Sequence, residues 1–196
     1  MLRVVGKLLI LFIGVVLVFV LIFLTIRRFS GGTPAGTGSY NSFDMTISSS
    51  AFKEGELIPA KYTCDGQNVS PSLTFMGIPE NTESLVLIVD DPDVPKNIRP
   101  DGMWTHWLVW NIPADISVVG EGNTPEGVVG RNSSGDKKYT GPCPPDREHR
   151  YFFKLFALDT ILDLDASSVS KTDLERAIEG HVLAEAQLMG RYNRPR

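Results

Sequence analysis

At 196 residues, with its first stretch given over to an apolar run, the chain has room for one ordinary core but not for two comfortable domains. Four of the 19 basic side chains precede residue 29, so residues 29 to 196 set 15 basic groups against 23 acidic ones, a formal charge of −8. That balance argues against a nucleic-acid partner, which needs a basic face, and against broad electrostatic adhesion to anionic lipid, so any phosphate binding has to come from a local pocket.

Leu8 to Ile26 carries no charge, and only Gly14 and Thr25 interrupt its apolar character. As a helix it would span roughly 28 Å, enough for one pass through hydrocarbon. The rival reading is a cleaved signal peptide, whose apolar core is usually shorter and ends in an A-x-A-like site not seen here. Residues 1–28 are therefore expected to be an N-terminal transmembrane anchor, placing the protein at a membrane. Arg3 and Lys7 before the run are balanced by Arg27 and Arg28 after it, which leaves the charge bias weak. A short tail ahead of a first apolar segment usually leaves the following domain extracytoplasmic. Residues 29–40 contain G-G-T-P-A-G-T-G-S, a flexible tether, and one folded domain is expected over 41–196.

Within that domain, Phe43 to Ser48 and Ser72 to Phe75 read as short strands. Leu85 to Val89 is a continuous aliphatic run stopped by Asp90-Asp91-Pro92, which predicts a strand buried on both faces and central in its sheet. In Trp104 to Trp110, alternation sets Trp104, His106, Leu108 and Trp110 against Thr105, Trp107 and Val109. Ile116 to Val119 is a further short strand, and Tyr151 to Leu158 is a third core strand. Thr172-Asp-Leu-Glu175 has capping-box spacing and Gly180 is placed to stop the helix, after which His181 to Met189 reads as a second short helix. The fold class expected is mainly β, an antiparallel sandwich with short C-terminal helices.

Three segments could carry chemistry: Asp91-Pro-Asp-Val-Pro95, His106 within an aromatic strand, and Gly141-Pro-Cys-Pro-Pro145 leading to His149-Arg-Tyr151. Singly, each has an ordinary explanation. Asp91 and Asp93 are common turn formers, His106 could be a core histidine satisfied by one hydrogen bond, and His149 could be a loop residue at a strand mouth.

Taken together, the segments resemble the phosphatidylethanolamine-binding proteins, also called Raf kinase inhibitor proteins, and especially their bacterial and archaeal branch. The resemblance covers roughly residues 43 to 193. It rests on Y-T-C-D-G-Q-N-V-S-P (62 to 71), V-D-D-P-D-V-P (89 to 95), T-H-W-L-V-W-N-I-P (105 to 113), G-P-C-P-P (141 to 145), H-R-Y-F-F-K-L-F-A-L-D (149 to 159) and H-V-L-A-E-A-Q-L-M-G-R-Y (181 to 192).

The resemblance implies a β-sandwich-like fold with a small anion pocket lined by Asp91, His106, Gly141, His149 and Tyr151. Two imidazoles, a tyrosine hydroxyl and a backbone N–H near Gly141 would converge on phosphate oxygens, with Asp91 orienting an imidazole. Glycine at 141 would let the backbone approach the ligand. The expected partner is a phosphorylated small molecule or a phospholipid head group. The alternative is a protein-interaction module, such as an inhibitor of a protease. Cys143 stands where eukaryotic members tend to have proline, and no residue here supports carrying over kinase regulation.

Cys64 and Cys143 permit one disulfide, or remain two free thiols. A bond is expected outside the cytoplasm, and closing its loop would contribute roughly 4 to 5 kcal/mol. With His106 and His149 they lack the short paired spacings of zinc motifs, so no metal is expected. No cofactor fingerprint and no nucleophile signature is present, which points away from an enzyme, although a histidine acting as a hydrolytic base is a third reading. Asn68-Val-Ser70 and Asn132-Ser-Ser134 match glycosylation acceptors.

Overall fold

The computed structural model describes residues 44 to 195. The anchor and tether expected over 1–40 lie outside those residues. Among the described residues, no helix is long and apolar enough to cross a membrane.

The described residues form the strands β1 (Thr46–Ser48), β2 (Leu73–Met76), β3 (Ser84–Asp91), β4 (Trp104–Pro113), β5 (Val118–Val119), β6 (Val128–Val129), β7 (His149–Leu158) and β8 (Val182–Tyr192), with one α-helix, α1 (Lys171–Ile178), and a single 3-10 turn at Ala60–Tyr62. They make two antiparallel sheets, one in the order β1-β2-β5 and the other in the order β6-β4-β3-β7-β8. Leu85, Leu87 and Val89 of β3 share a core with Ile47, Leu73, Phe75 and Val119 of the small sheet. Val86 and Ile88 face the other way, onto Leu162, Val169 and the apolar side of α1, Leu174 and Ile178. The aliphatic run at 85–89 is thus explained: β3 is the middle strand of a sheet covered on both faces, and all eight of its residues are buried.

Strand β4 departs from simple alternation at two places. Its pairing with β3 slips by one residue between Val89↔Trp107 and Asp90↔Thr105, leaving His106 as an extra residue. It slips again between Leu85↔Ile112 and Leu87↔Val109. Asn111, beside the second bulge, has φ 53°, a left-handed conformation that asparagine tolerates.

Two sequence expectations are corrected at the C-terminal end. The capping box lies two residues earlier than Thr172: the Ser170 side chain accepts from the Asp173 N–H, and the Asp173 carboxylate accepts from the Ser170 N–H. Both spacings fit the motif, and packing of Leu174 and Ile178 selects the frame. The segment His181 to Met189 is strand from Val182 onward rather than a second helix. Leu-Ala-Glu-Ala-Gln favours helix locally. The open edge of β7 overrides that preference, pairing with β8 from Leu158↔Val182 to His149↔Tyr192 and turning Ala184, Ala186, Leu188 and Tyr192 onto the core.

Candidate functional site

The C-terminal end of β3 delivers Asp91, and the start of β7 delivers His149 and Tyr151. On β7, His149 and Tyr151 share a face with Phe153 and Leu155, which belong to the core between the sheets. Asp91 shares that face with Val89. Strict alternation would send His106 to the opposite, helix-covered face with Leu108 and Trp110. The bulge turns it back, so that its imidazole meets the Tyr151 ring edge-on, with centroids 5.3 Å apart.

A cavity of about 200 Å³ lies at this end of the sheet. Asp91, His106, Thr140 and Gly141 provide its polar or backbone wall, and Val94, Ile98, Trp104 and Pro145, with Cys143, its apolar wall. Three of the five residues expected to bind an anion therefore line one cavity. His149 and Tyr151 stand next to it in the network without belonging to its wall.

His149 is fully buried, with Nδ1 2.7 Å from Asp91 Oδ2 and Nε2 2.8 Å from Asp146 Oδ1. Both ring nitrogens of His149 thus have carboxylate partners within the protein. The other oxygen of Asp91 accepts from the Asp93 N–H at 2.8 Å. Asp93 itself takes a two-pronged pair from Arg150, at 2.8 Å on each side, which holds its carboxyl below the usual range. The Asp-Pro-Asp turn is at once a turn and a clamp on the start of β7.

His106 Nδ1 lies 2.6 Å from the Thr140 carbonyl oxygen, and its buried Nε2 has no hydrogen-bond partner among the described residues. Burial lowers its affinity for a second proton, against the opposing pull of the Thr140 carbonyl, Asp91 and Asp90. The Tyr151 hydroxyl is also buried, and burial, with the nearby Asp91 carboxylate, raises its pKa so that it stays neutral.

Gly141 is required for a different close approach from the one expected. A Cβ there would meet the Tyr62 carbonyl oxygen at 2.2 Å and Thr63 Cα at 2.9 Å, so the glycine lets its loop lie against residues 62–64. Its N–H is committed too, donating to Asn68 Oδ1 at 2.7 Å. The same two loops are joined by a Cys64–Cys143 disulfide, Cα–Cα 5.4 Å, and by the Cys64 N–H to the Pro142 carbonyl at 3.0 Å. Both cysteines are thereby unavailable as metal ligands. Asn132, a glycosylation candidate by sequence, is buried and donates from Nδ2 to the Lys138 carbonyl and to Thr140 Oγ1.

A larger open cleft, about 530 Å³, runs between Arg99, Arg131 and Lys171 on the α1 side. Its charges are satisfied internally, by Asp101, by the Gly135 carbonyl, and by Asp90 with Glu175. No side chain lining it is a buried polar group lacking a partner, unlike His106 in the smaller cavity.

A family model described as phosphatidylethanolamine-binding protein matches residues 48–193. The chain belongs to the phosphatidylethanolamine-binding protein family. Among curated relatives, a UPF0098 protein of Chlamydia pneumoniae is 49% identical over 150 residues, covering 76% of this chain and 99% of that protein. One from Methanothermobacter thermautotrophicus is 49% identical over 156 residues, with the same two coverages. Among solved structures, a phosphatidylethanolamine-binding protein homolog from Chlamydia trachomatis is 45% identical, with a TM-score of 0.74 over 78% of this chain and 99% of that one. E. coli YbcL, described as a member of the mammalian family, is 32% identical, with a TM-score of 0.70 and the same coverages. The family match takes in all six signature segments, and three of them, at 89–95, 105–113 and 141–145, supply walls of the cavity.

The signals that sequence reading passed over lie inside or beside those segments. Asp146, three residues before His149, and Asn68, within the 62–71 segment, partner two of the chosen site residues. Val94, Ile98 and Trp104 form the apolar wall, and their neighbouring prolines and glycine gave no sign of it.

Proposed function

We propose that the protein binds a phosphate-like anion or phosphorylated head group, without chemical turnover, in the cavity lined by Asp91, His106 and Gly141. The observation that carries this reading is the small, largely apolar cavity walled in part by His106, whose buried Nε2 has no hydrogen-bond partner among the described residues. A buried polar atom without a partner is costly, and a bound ligand relieves that cost. The apolar wall of Val94, Ile98, Trp104 and Pro145 suits the organic part of such a ligand.

The non-enzymatic part of the proposal is supported by the state of the groups that could attack a substrate. Cys143 is spent in the disulfide, and Thr140 Oγ1 is held by Asn132. His106 uses Nδ1 on a carbonyl rather than on an activating carboxylate.

Calorimetric titration of the purified full-length protein with inorganic phosphate and with phosphoethanolamine tests the reading. Saturable binding that weakens in His106→Ala is expected. Absence of binding to either ligand between pH 5.5 and 8.5 refutes it, and steady hydrolysis of a phosphate ester by stringently purified protein refutes the non-enzymatic part.

A further inference from the structure

Among the described residues, the imidazole of His106 makes a single hydrogen bond. Its Nδ1 lies 2.6 Å from the Thr140 carbonyl oxygen, and its buried Nε2 has no partner there. A carbonyl oxygen only accepts, so Nδ1 carries the proton. The edge-on contact with Tyr151 packs the ring but is less directional than a hydrogen bond. The orientation of the ring therefore rests on where one carbonyl points.

That carbonyl belongs to the peptide unit between Thr140 and Gly141. The unit is planar, so holding its N–H at one end aims its C=O at the other. The Gly141 N–H donates to Asn68 Oδ1 at 2.7 Å. Two short bonds thus meet on one peptide, from His106 to its oxygen and from its nitrogen to Asn68, and each polarises the group in favour of the other.

The other ties around these loops act on other groups. Tyr139 Oη reaches the Tyr62 carbonyl, the Cys64 N–H reaches the Pro142 carbonyl, and the disulfide joins residues 64 and 143. Asn132 holds the Thr140 hydroxyl, and the Thr140 N–H donates to the His106 carbonyl, both ahead of the peptide in question. Asn68 is exposed and stands outside the cavity wall. Its backbone is left-handed, φ 57°, and its N–H donates to the Lys61 carbonyl at 3.1 Å.

Resting on the phosphate-pocket reading above, we infer that Asn68 is a positioning residue: by accepting from the Gly141 N–H it aims the Thr140 carbonyl, which orients the His106 imidazole and so sets the affinity of the cavity for phosphate.

Two substitutions separate the acceptor from the backbone around it. Asn68→Gly suits the left-handed conformation and removes the acceptor, while Asn68→Asp keeps an acceptor and charges it. Calorimetric titration of the full-length protein with inorganic phosphate, at about 0.15 M salt to screen exposed charges, reads the affinity. Proton–nitrogen NMR of the histidine rings in ligand-free protein reads the His106 Nδ1–H. Asn68→Gly is expected to bind phosphate about three- to tenfold more weakly, with that resonance moved upfield. Asn68→Asp is expected to bind within about twofold of the parent, with the resonance moved downfield, because a charged acceptor polarises the peptide more strongly. Leu174→Ala, in the core beneath α1, is expected to lower Tm and leave the affinity unchanged, which separates positioning from loss of stability.

An Asn68→Gly protein that binds within about twofold of the parent, or whose His106 Nδ1–H resonance is unmoved, overturns the inference and leaves the pocket reading intact. An Asn68→Asp protein that binds as weakly as the glycine variant does the same, since the acceptor would then not be what matters. Should Asn68→Gly fail to fold, Asn68→Asp decides alone, and an unmoved resonance in it overturns the inference. Absence of phosphate binding by the unmodified protein overturns the pocket reading itself, and the inference about affinity with it.

Discussion

Replacing Cys64 and Cys143 together by serine removes one cross-link and little else. The loops stay tied by Tyr139 Oη donating to the Tyr62 carbonyl at 3.0 Å, by the Gly141 N–H to Asn68, and by the Cys64 backbone N–H to the Pro142 carbonyl. The native structure should therefore persist, and the loss should fall mainly on the unfolded chain. With the cysteines separated by 79 positions in sequence, the chain-entropy relation gives about 15 cal/mol/K of restored disorder, or about 4.5 kcal/mol at 25 °C. Urea unfolding followed by tryptophan fluorescence provides the assay, because Trp107 and Trp110 are buried in opposite cores. A loss of about 3 to 5 kcal/mol is expected, and the oxidised parent should show the same loss when reductant is added. A double variant within about 1 kcal/mol of the oxidised protein would refute the argument, since the cross-link would then be constraining nothing that unfolding releases.

Other outcomes follow from the same geometry. Gly141→Ala drives a Cβ into the Tyr62 carbonyl and should destabilise by about 1 to 3 kcal/mol while weakening phosphate binding; thermal unfolding and titration check the two effects. Asp90 is fully buried between Lys154, at 2.9 Å, and Lys171, at 3.2 Å, so Asp90→Asn removes the counter-charge paired with Lys154 and leaves Lys171 with Glu175 alone. It should cost about 3 kcal/mol, read as a fall in Tm of several degrees. For His106 the folded-state pKa is lowered, so below about 6.5 the unfolded chain takes up a proton that the folded chain refuses. Its contribution is complete above about 6.5 and declines as pH falls toward the folded value, by up to about 1.4 kcal/mol per unit. The stability difference between parent and His106→Asn should shrink across that window in ligand-free protein; a constant difference would contradict the assignment. A chain beginning at Asn41 should fold and bind phosphate like the full chain, while fractionation and external protease treatment of cells test the anchor expected at 8–26.

Much of the fold was legible because local pattern and tertiary demand agreed. The run Leu85–Val89 has no polar face, so it had to be covered on both sides, and it became the central strand between two cores. The six signature segments carried the family, and with it the neighbourhood of Asp91, His106 and Gly141. Where local preference and tertiary pairing disagreed, pairing prevailed. The Leu183–Gln187 stretch, a good helix former, became strand because β7 offered it an unpaired edge.

Composition, the aliphatic run and the motif order settled that this is an acidic, mainly β domain of one family, since those properties depend on residue type and spacing alone. Which atoms of the site remain free was a matter for the folded chain. His149 looked like a donor to an anion, but Asp91 and Asp146 take both of its nitrogens, and Asn68 takes the Gly141 N–H across 73 residues of sequence. The decisive case is His106, which period-two alternation assigns to the face of Leu108 and Trp110. One extra residue in β4, visible only as a slip in its pairing with β3, turns that side chain through the sheet to Asp91 and Tyr151. Register is a property of two strands together and is written in neither one alone.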